Sequence, residues 1–384
     1  MAAAGIDVLV LTSPESMCYL HGYAIRWYRA QSPVEWSAPV ATVVRVDQAQ
    51  PIHFDTSGEE SALRHTSVIE DVRYLPDGSE DRYGRWEEDQ GSRNSALQFI
   101  GRELRSAGWL PARVGLEMYS HVPSRAVSDA TEAMFRDEGC VVVDGTAILR
   151  DVRRRKSPQE IAYIEEAAGI ADAALGAFAQ ALAPGVSELE LWGEMTRAMS
   201  AMGGEHGALH ESVVVGSIAE GHMLSSRRRV QRGDYVYADP SGVVNRYHAN
   251  TSRTYFVGSE PDPAAVELLR LAGGAFDVLC NVARVGTSFT EINRALREYF
   301  TECGIWDLRS WVGGYEMGLS FPPDWVGAFV FTIEEEEDPR LVEDGMVTNF
   351  ESIFHFPLLD TVVFQEDGVR ALSRLPRELL VVAV

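Results

Sequence analysis

The chain has 384 residues, 46% of them apolar and 24% charged, which is ordinary globular composition with enough apolar material for more than one core. Its 34 basic and 57 acidic side chains leave a formal charge of −23, whose field repels phosphate backbones and anionic lipid, so neither nucleic acid nor a membrane surface is an expected partner. Cys18, Cys140, Cys280 and Cys303 lack CxxC spacing and read as buried thiols of a reducing compartment. No apolar run approaches about 18 residues, and Met1 to Asp7 has neither a basic flank nor an h-region, so a cytoplasmic protein is expected.

In chain order, Ile6 to Leu11 is an apolar, β-branched run closed by Thr12, Ser13 and Pro14, and predicts a buried strand. Val40 to Val46, Pro51 to Phe54 and Ala112 to Leu116 predict further strands, and Ser95 to Ala107 and Ser124 to Asp137 have helical spacing. Asp77 to Arg93 is charged and weakly periodic, as expected of a surface loop. The basic run Leu149 to Lys156 marks a boundary, giving domains 1–150 and 151–384, and reads either as a solvated linker or as a subunit contact. Ser157, Pro158 and Glu160 then match a capping box with proline at the first helical position.

Ile161, Ile164, Ala168, Ala171, Leu175 and Phe178 share one face of the helix that follows. Beyond it the pattern predicts helices over Glu188–Met202, Pro263–Ala283 and Phe289–Cys303. Strands are predicted over Glu211–Val215, Asp234–Asp239, Thr251–Val257, Met346–Phe356, Thr361–Gln365 and Leu379–Val384. Clustered rather than strictly alternating elements indicate an α+β fold. The acidic run Glu334 to Asp338 reads as a solvated loop.

Asp239 and Glu351 each close an apolar strand. A carboxylate in that position needs a partner, because an isolated buried charge costs several kcal/mol or shifts its pKa. A salt bridge to Arg253 or a backbone cap would satisfy it, and so would a catalytic site. His222, in the segment Gly216 to His222, is equally open between a structural and a chemical role.

The order of these segments, together with Leu149 to Ile161, resembles the pita-bread family of creatinase, prolidase, aminopeptidase P and methionine aminopeptidase. Gly5 to Leu11 and Met17 to Tyr23 match the start of a creatinase-type N-terminal domain, although the usual first helix has no counterpart here. The resemblance implies an α/β N-terminal domain followed by a pita-bread domain. Metallopeptidases of this family hold two divalent ions on two Asp, one His and two Glu. Laid on this chain, those positions are Asp239, Asn250, Tyr315, Glu351 and Leu359, or Asp360 if the last is shifted by one. Two or three carboxylates and no imidazole neither neutralise about +4 of charge nor complete octahedral shells, so no metal cofactor is expected.

Arg246 to Thr254 and the turn Gly314 to Trp325 resemble the ectoine-hydrolase branch more than creatinase, whose glutamate before the Arg-Thr pair is Ser252 here. The resemblance implies metal-independent hydrolysis of an amidine, guanidine or amide C–N bond in a small molecule. Asp239 and Glu351 would hold the cation and His222 would shuttle the proton. Tyr315 and Asn250 would bind substrate, with His248 a weaker candidate; Tyr315 could equally be a core aromatic. Arg26 and Trp27, within the cluster Arg26 to Arg29 and Trp36, would clamp a substrate carboxylate across a homodimer, or simply cover the surface. A lyase, decarboxylase, isomerase, Xaa-Pro-type metallopeptidase or non-catalytic binder on the same scaffold is the alternative.

Overall fold

The computed structural model describes residues 1–24, 40–76, 90–217 and 223–384. The chain divides into two compact units, Met1–Val152 and Arg153–Val384.

In the first unit, β1 (Val8–Leu11) leads into α1 (Pro14–His21), then β2 (Ala41–Arg45), β3 (Ile52–Asp55), α2 (Glu60–Thr66) and β4 (Asp71–Tyr74). After these come α3 (Gln90–Ser106), β5 (Arg113–Leu116), α4 (Arg125–Asp137), β6 (Val141–Asp144) and α5 (Thr146–Arg153). The strands form a sheet of order β4-β3-β2-β1-β5-β6, antiparallel from β1 to β3 and parallel at both flanks. Val8, Val10, Val43, Phe54 and Val114 bury against Leu97, Ile100, Leu104 and Phe135 of α3 and α4. The expected strands and helices form. Two expectations change: residues 90–93 belong to α3 rather than to a loop, while 77–89 lie outside the described residues.

The basic run is not a free linker, although Arg155 stays exposed. It finishes α5 and is then tied down within the second unit. Arg153 donates to the Leu319 carbonyl, Arg154 pairs with Glu343 at 3.0 Å, and buried Lys156 pairs with Glu316 at 2.6 Å.

The second unit opens with α6 (Pro158–Ala181) and α7 (Glu188–Ala201), each begun by a capping box, on Ser157 and Ser187. Next come β7 (Ser212–Val215), β8 (Tyr235–Asp239), β9 (Ser241–Val244), β10 (Tyr247–Val257), α8 (Pro263–Val282) and α9 (Phe289–Glu302). The chain ends in β11 (Trp311–Tyr315), β12 (Val330–Thr332), β13 (Met346–Ile353), β14 (Leu359–Gln365), β15 (Gly368–Ala371) and β16 (Leu380–Val382). The main sheet path is β12-β11-β13-β14-β10-β8-β7, and β15, β9 and β16 pair at its sides.

One helix pair backs each half. Ile170, Ala174 and Phe178 of α6 and Leu191 and Met195 of α7 pack on Val236 and Ala238 of β8 and on Tyr255 and Val257 of β10. Phe276 and Leu279 of α8 and Phe289, Leu296 and Phe300 of α9 pack on Val312, Phe350, Val362 and Phe364. Each such side chain removed from water contributes about 1.5–3 kcal/mol. These contacts fix one face of every central strand as the core face, so alternation commits the neighbouring residues to the other face.

Candidate active site

Because Val236 and Ala238 face the helices, Asp239 faces away from them. The same parity puts Asn250 of β10, Tyr315 of β11, Asn349 and Glu351 of β13 and Leu359 of β14 on that opposite face. Register completes the alignment, with Glu351 opposite both Gly313 and Leu359, and Ser252 opposite Leu359. Asp360 is therefore on the core side, fully buried, with its carboxylate between Arg253 at 2.8 Å and Arg377 at 2.5 Å. The last donor position is thus Leu359, and Arg253 serves Asp360, not Asp239 or Glu351.

The two remaining carboxylates have neutral hydrogen-bond partners. Asn250 Nδ2 donates to Asp239 Oδ1 at 2.8 Å and to the Pro240 carbonyl at 3.3 Å, while Asn250 Oδ1, fully buried, has no partner among the described residues. Asn349 Nδ2 donates to Glu351 Oε1 at 2.6 Å, the Tyr315 hydroxyl also bonds Glu351, and Trp325 Nε1 donates to that hydroxyl at 3.2 Å. Asn349 Oδ1 in turn accepts the Tyr315 backbone N–H at 2.8 Å, which fixes the end of β11 that carries the phenol.

Burial, then the neighbouring Asp239 charge, pushes Glu351 up to about 8 against the pull of its hydrogen bonds. Burial also raises Asp239 to about 6, with Asn250 opposing and the charge of Glu211 adding to the rise. Tyr315 is raised well above its usual value by burial and by both carboxylates, so it is a neutral phenol.

His248 is buried with both ring nitrogens committed. Nδ1 meets the Arg246 carbonyl at 2.8 Å, and Nε2 accepts the Ala208 N–H at 3.0 Å. Burial, then the Arg246 charge, lowers it to about 3 and keeps it neutral. The expectation that it contacts substrate is corrected: its ring anchors the 206–210 segment and neither nitrogen is free. His222, Arg26 and Trp27 lie outside the described residues.

Sequence reasoning missed three neighbours of this site. Asn349 was detectable by parity, since it stands two residues before Glu351 on one strand. Trp325 lay inside the noted Gly314 to Trp325 turn without a role. Glu211 was read only as the start of a strand, yet its buried carboxyl bears on Asp239 and accepts from Trp192 Nε1 at 3.4 Å.

With a helix-backed sheet presenting this cluster, comparison with known proteins gives the class. Metallopeptidase family M24 matches residues 162–371, and the creatinase/prolidase N-terminal domain matches residues 1–154. The chain belongs to family M24. It is 25% identical to the ectoine hydrolase of Halomonas elongata over 403 aligned residues, covering 99% of this chain and 94% of that protein. It is 29% identical to the Xaa-Pro dipeptidase of Pyrococcus furiosus over 240 residues, covering 61% and 67%. The crystal structure of the X-Pro aminopeptidase of Thermotoga maritima superposes with a TM-score of 0.76 at 19% identity, over 98% of both chains, and shows the shared fold.

The family name implies metal, and the donor set here does not fit a pair of divalent ions. Asn250 is a neutral amide that spends its N–H on Asp239, Tyr315 is a protonated phenol, and Leu359 carries no donor. Among the described residues, no three His, Cys, Asp or Glu side chains lie close enough to hold one ion.

Proposed function

We propose that this chain is a metal-independent hydrolase of an amidine, guanidine or amide C–N bond in a small molecule. The observation that carries the reading is the replacement of three ion-donor positions by Asn250, Tyr315 and Leu359 around two intact carboxylates. The likeness to an ectoine hydrolase along nearly the whole chain supports it.

Without a Lewis acid, a substrate that is already a delocalised cation supplies its own electrophile, and Asp239 and Glu351 are the anions that hold it. Binding the cation favours ionised carboxylates and draws the pair away from the protonated state that burial imposes. His222 takes a proton from water as the water oxygen bonds to the amidine carbon. It returns that proton to nitrogen as the C–N bond breaks, so hydroxide and proton are both accounted for. Tyr315 and Asn250 hydrogen-bond the substrate. Arg26 and Trp27 are the residues assigned to clamp a substrate carboxylate across a homodimer.

The test is turnover of candidate cyclic amidines and guanidines by purified protein with and without chelator, with product mass measured. Chelator-insensitive activity and the gain of one water are expected. His222→Ala should retain binding and lose about 10²–10⁴ in rate. Activity that appears only on adding Mn²⁺ or Zn²⁺ and falls on Xaa-Pro dipeptides would overturn the reading in favour of the peptidase one, which the Pyrococcus furiosus relative supports.

A further inference from the structure

The first unit holds a buried chain of polar side chains that the C–N chemistry does not use. His21 closes α1, Thr42 lies on β2, His53 and Asp55 lie on β3, and Ser67 follows α2. Thr42, His53 and Asp55 are fully buried and His21 nearly so, whereas Ser67 is half-buried and is the most exposed member. Ser67 Oγ meets His21 Nδ1 at 2.8 Å, and His21 Nε2 meets Thr42 Oγ1 at 2.8 Å. Thr42 Oγ1 also meets His53 Nδ1 at 2.8 Å, and His53 Nε2 meets Asp55 Oδ2 at 3.3 Å. The rings of His21, His53 and Tyr23 pack on one another with centroids 5.0 to 5.9 Å apart.

Chemistry sets the direction of every bond. Asp55 accepts from the Tyr23 hydroxyl and from the Thr56 N–H at 2.7 Å, and among the described residues it pairs with no Lys or Arg. Its surroundings supply only donors, so His53 donates to it through Nε2–H. A neutral imidazole has one donor and one acceptor, and a hydroxyl has one proton. His53 Nδ1 therefore accepts the Thr42 proton, and Thr42, its proton spent, accepts from His21 Nε2–H. His21 Nδ1 then accepts the Ser67 proton, while Ser67 Oγ takes the Ile69 N–H at 3.1 Å. Reversed, the chain is equally complete. A proton reaching Ser67 Oγ from water lets Ser67 pass its own proton to His21 Nδ1. His21 passes its Nε2 proton to Thr42, and Thr42 passes its own to His53 Nδ1. Each link receives one proton and gives one, and the single added charge comes to rest on His53, beside Asp55. His21 only changes tautomer, because burial, and then the neighbouring His53, lowers its pKa to about 3. The other ionisable groups about the chain are Tyr23, which follows α1, and Glu59 and Tyr74, which bear on Tyr23 from the start of α2 and from β4; none is a cation.

We propose that Ser67, His21, Thr42, His53 and Asp55 form a pH-sensitive switch, a relay with two complete hydrogen-bond directions that differ by one proton taken in at Ser67 and held on His53. The relay lets the enclosed Asp55 carboxylate gain a cationic partner without opening the unit, and it turns the Ser67 hydroxyl from His21 towards solvent. Its two states lose no hydrogen bond between them, which is what makes a buried network bistable rather than merely rigid. The switch stands independently of the reaction proposed above.

The experiment is heteronuclear NMR of the full chain carrying isotope-labelled histidine, titrated from about pH 8 to about pH 5, with the two rings assigned by their loss in His21→Gln and His53→Gln. At the alkaline end both rings are expected as Nε2–H tautomers. On acidification His53 should become imidazolium, and at the same midpoint His21 should change to the Nδ1–H tautomer without gaining charge. Thr42→Val, near-isosteric but without the hydroxyl, should separate the two events by at least about one pH unit or abolish the His21 change, and Thr42→Ser should restore the joint step. Charge appearing on His21, an Nδ1–H tautomer of either ring at the alkaline end, or unequal midpoints in the unmutated chain would overturn the proposal. So would rings that do not change over this range, or a joint step that survives in Thr42→Val. The tautomers of the unmutated chain decide the matter even where Thr42→Val does not fold.

Discussion

Replacing Glu351 with Gln removes an ionisable group whose burial the fold opposes, and the structure gives the sign and size of the effect. The folded value of about 8 stands above the ordinary 4.5. Below pH 4.5 the carboxyl is protonated in both folded and unfolded chains and contributes no pH dependence. Between 4.5 and 8 the unfolded chain releases the proton and the folded chain keeps it, so stability falls as pH rises, and above 8 the curve levels. At about 1.4 kcal/mol per pH unit the interval corresponds to about 5 kcal/mol. Glutamine keeps an acceptor for Asn349 Nδ2 and for the Tyr315 hydroxyl and does not titrate. Glu351→Gln should therefore match the parent near pH 4.5 and exceed it increasingly towards pH 8, by about 10 °C or more in Tm for a unit of this size. Thermal unfolding of both proteins from pH 4.5 to 9 checks this. Parallel curves, or a variant less stable than the parent at pH 8, would refute the account of Glu351 as a strained, cation-seeking carboxyl.

Two further outcomes follow from the geometry. His248→Ala leaves the Ala208 N–H and the Arg246 carbonyl without their ring partner, so it should lower stability by about 1–3 kcal/mol and increase amide exchange across 206–210, read by hydrogen exchange mass spectrometry. The combined substitution Asn250→Asp, Tyr315→His and Leu359→Glu restores the donor set, and should bind Mn²⁺ or Zn²⁺ stoichiometrically by elemental analysis where the parent does not.

Much of this architecture was legible because apolar period and caps agree. Ser157 and Ser187 begin α6 and α7, and the stripe from Ile161 to Phe178 is the face that packs on the sheet. Elements without that agreement were missed. β4 (Asp71–Tyr74) is half-buried and carries Asp71 and Arg73, so it lacks an apolar run, and α5 was hidden inside a basic segment whose charges find partners only in the folded unit. At the site, Asp239 was readable from its place at the end of β8, whereas Glu351, expected to close a strand, lies inside β13 with partners on both sides. The choice between Leu359 and Asp360 was not readable, because a one-residue shift reverses the face and only the register with Glu351 decides it.

The three replaced donor positions are consistent with one another as electrostatics. A bridging pair of divalent ions would supply the charge that keeps carboxylates ionised in a buried place; under the metal-independent function proposed above that charge comes from the substrate, and each replacement reduces the repulsion between the carboxylates until it binds. Asn250 turns a carboxylate into a donor to Asp239, Tyr315 contributes a hydroxyl to Glu351, and Leu359 removes an anion altogether. The remaining deficit is still large enough to hold Glu351 near 8 and Asp239 near 6. A positively charged ligand that ionises these groups gains charge-assisted hydrogen bonds but must displace the proton that burial holds on Glu351, so its binding strengthens as pH rises towards 8. A neutral ligand of equal shape gains only hydrogen bonds and releases no proton, so the proposed function requires discrimination by charge to grow with pH between about 6 and 8.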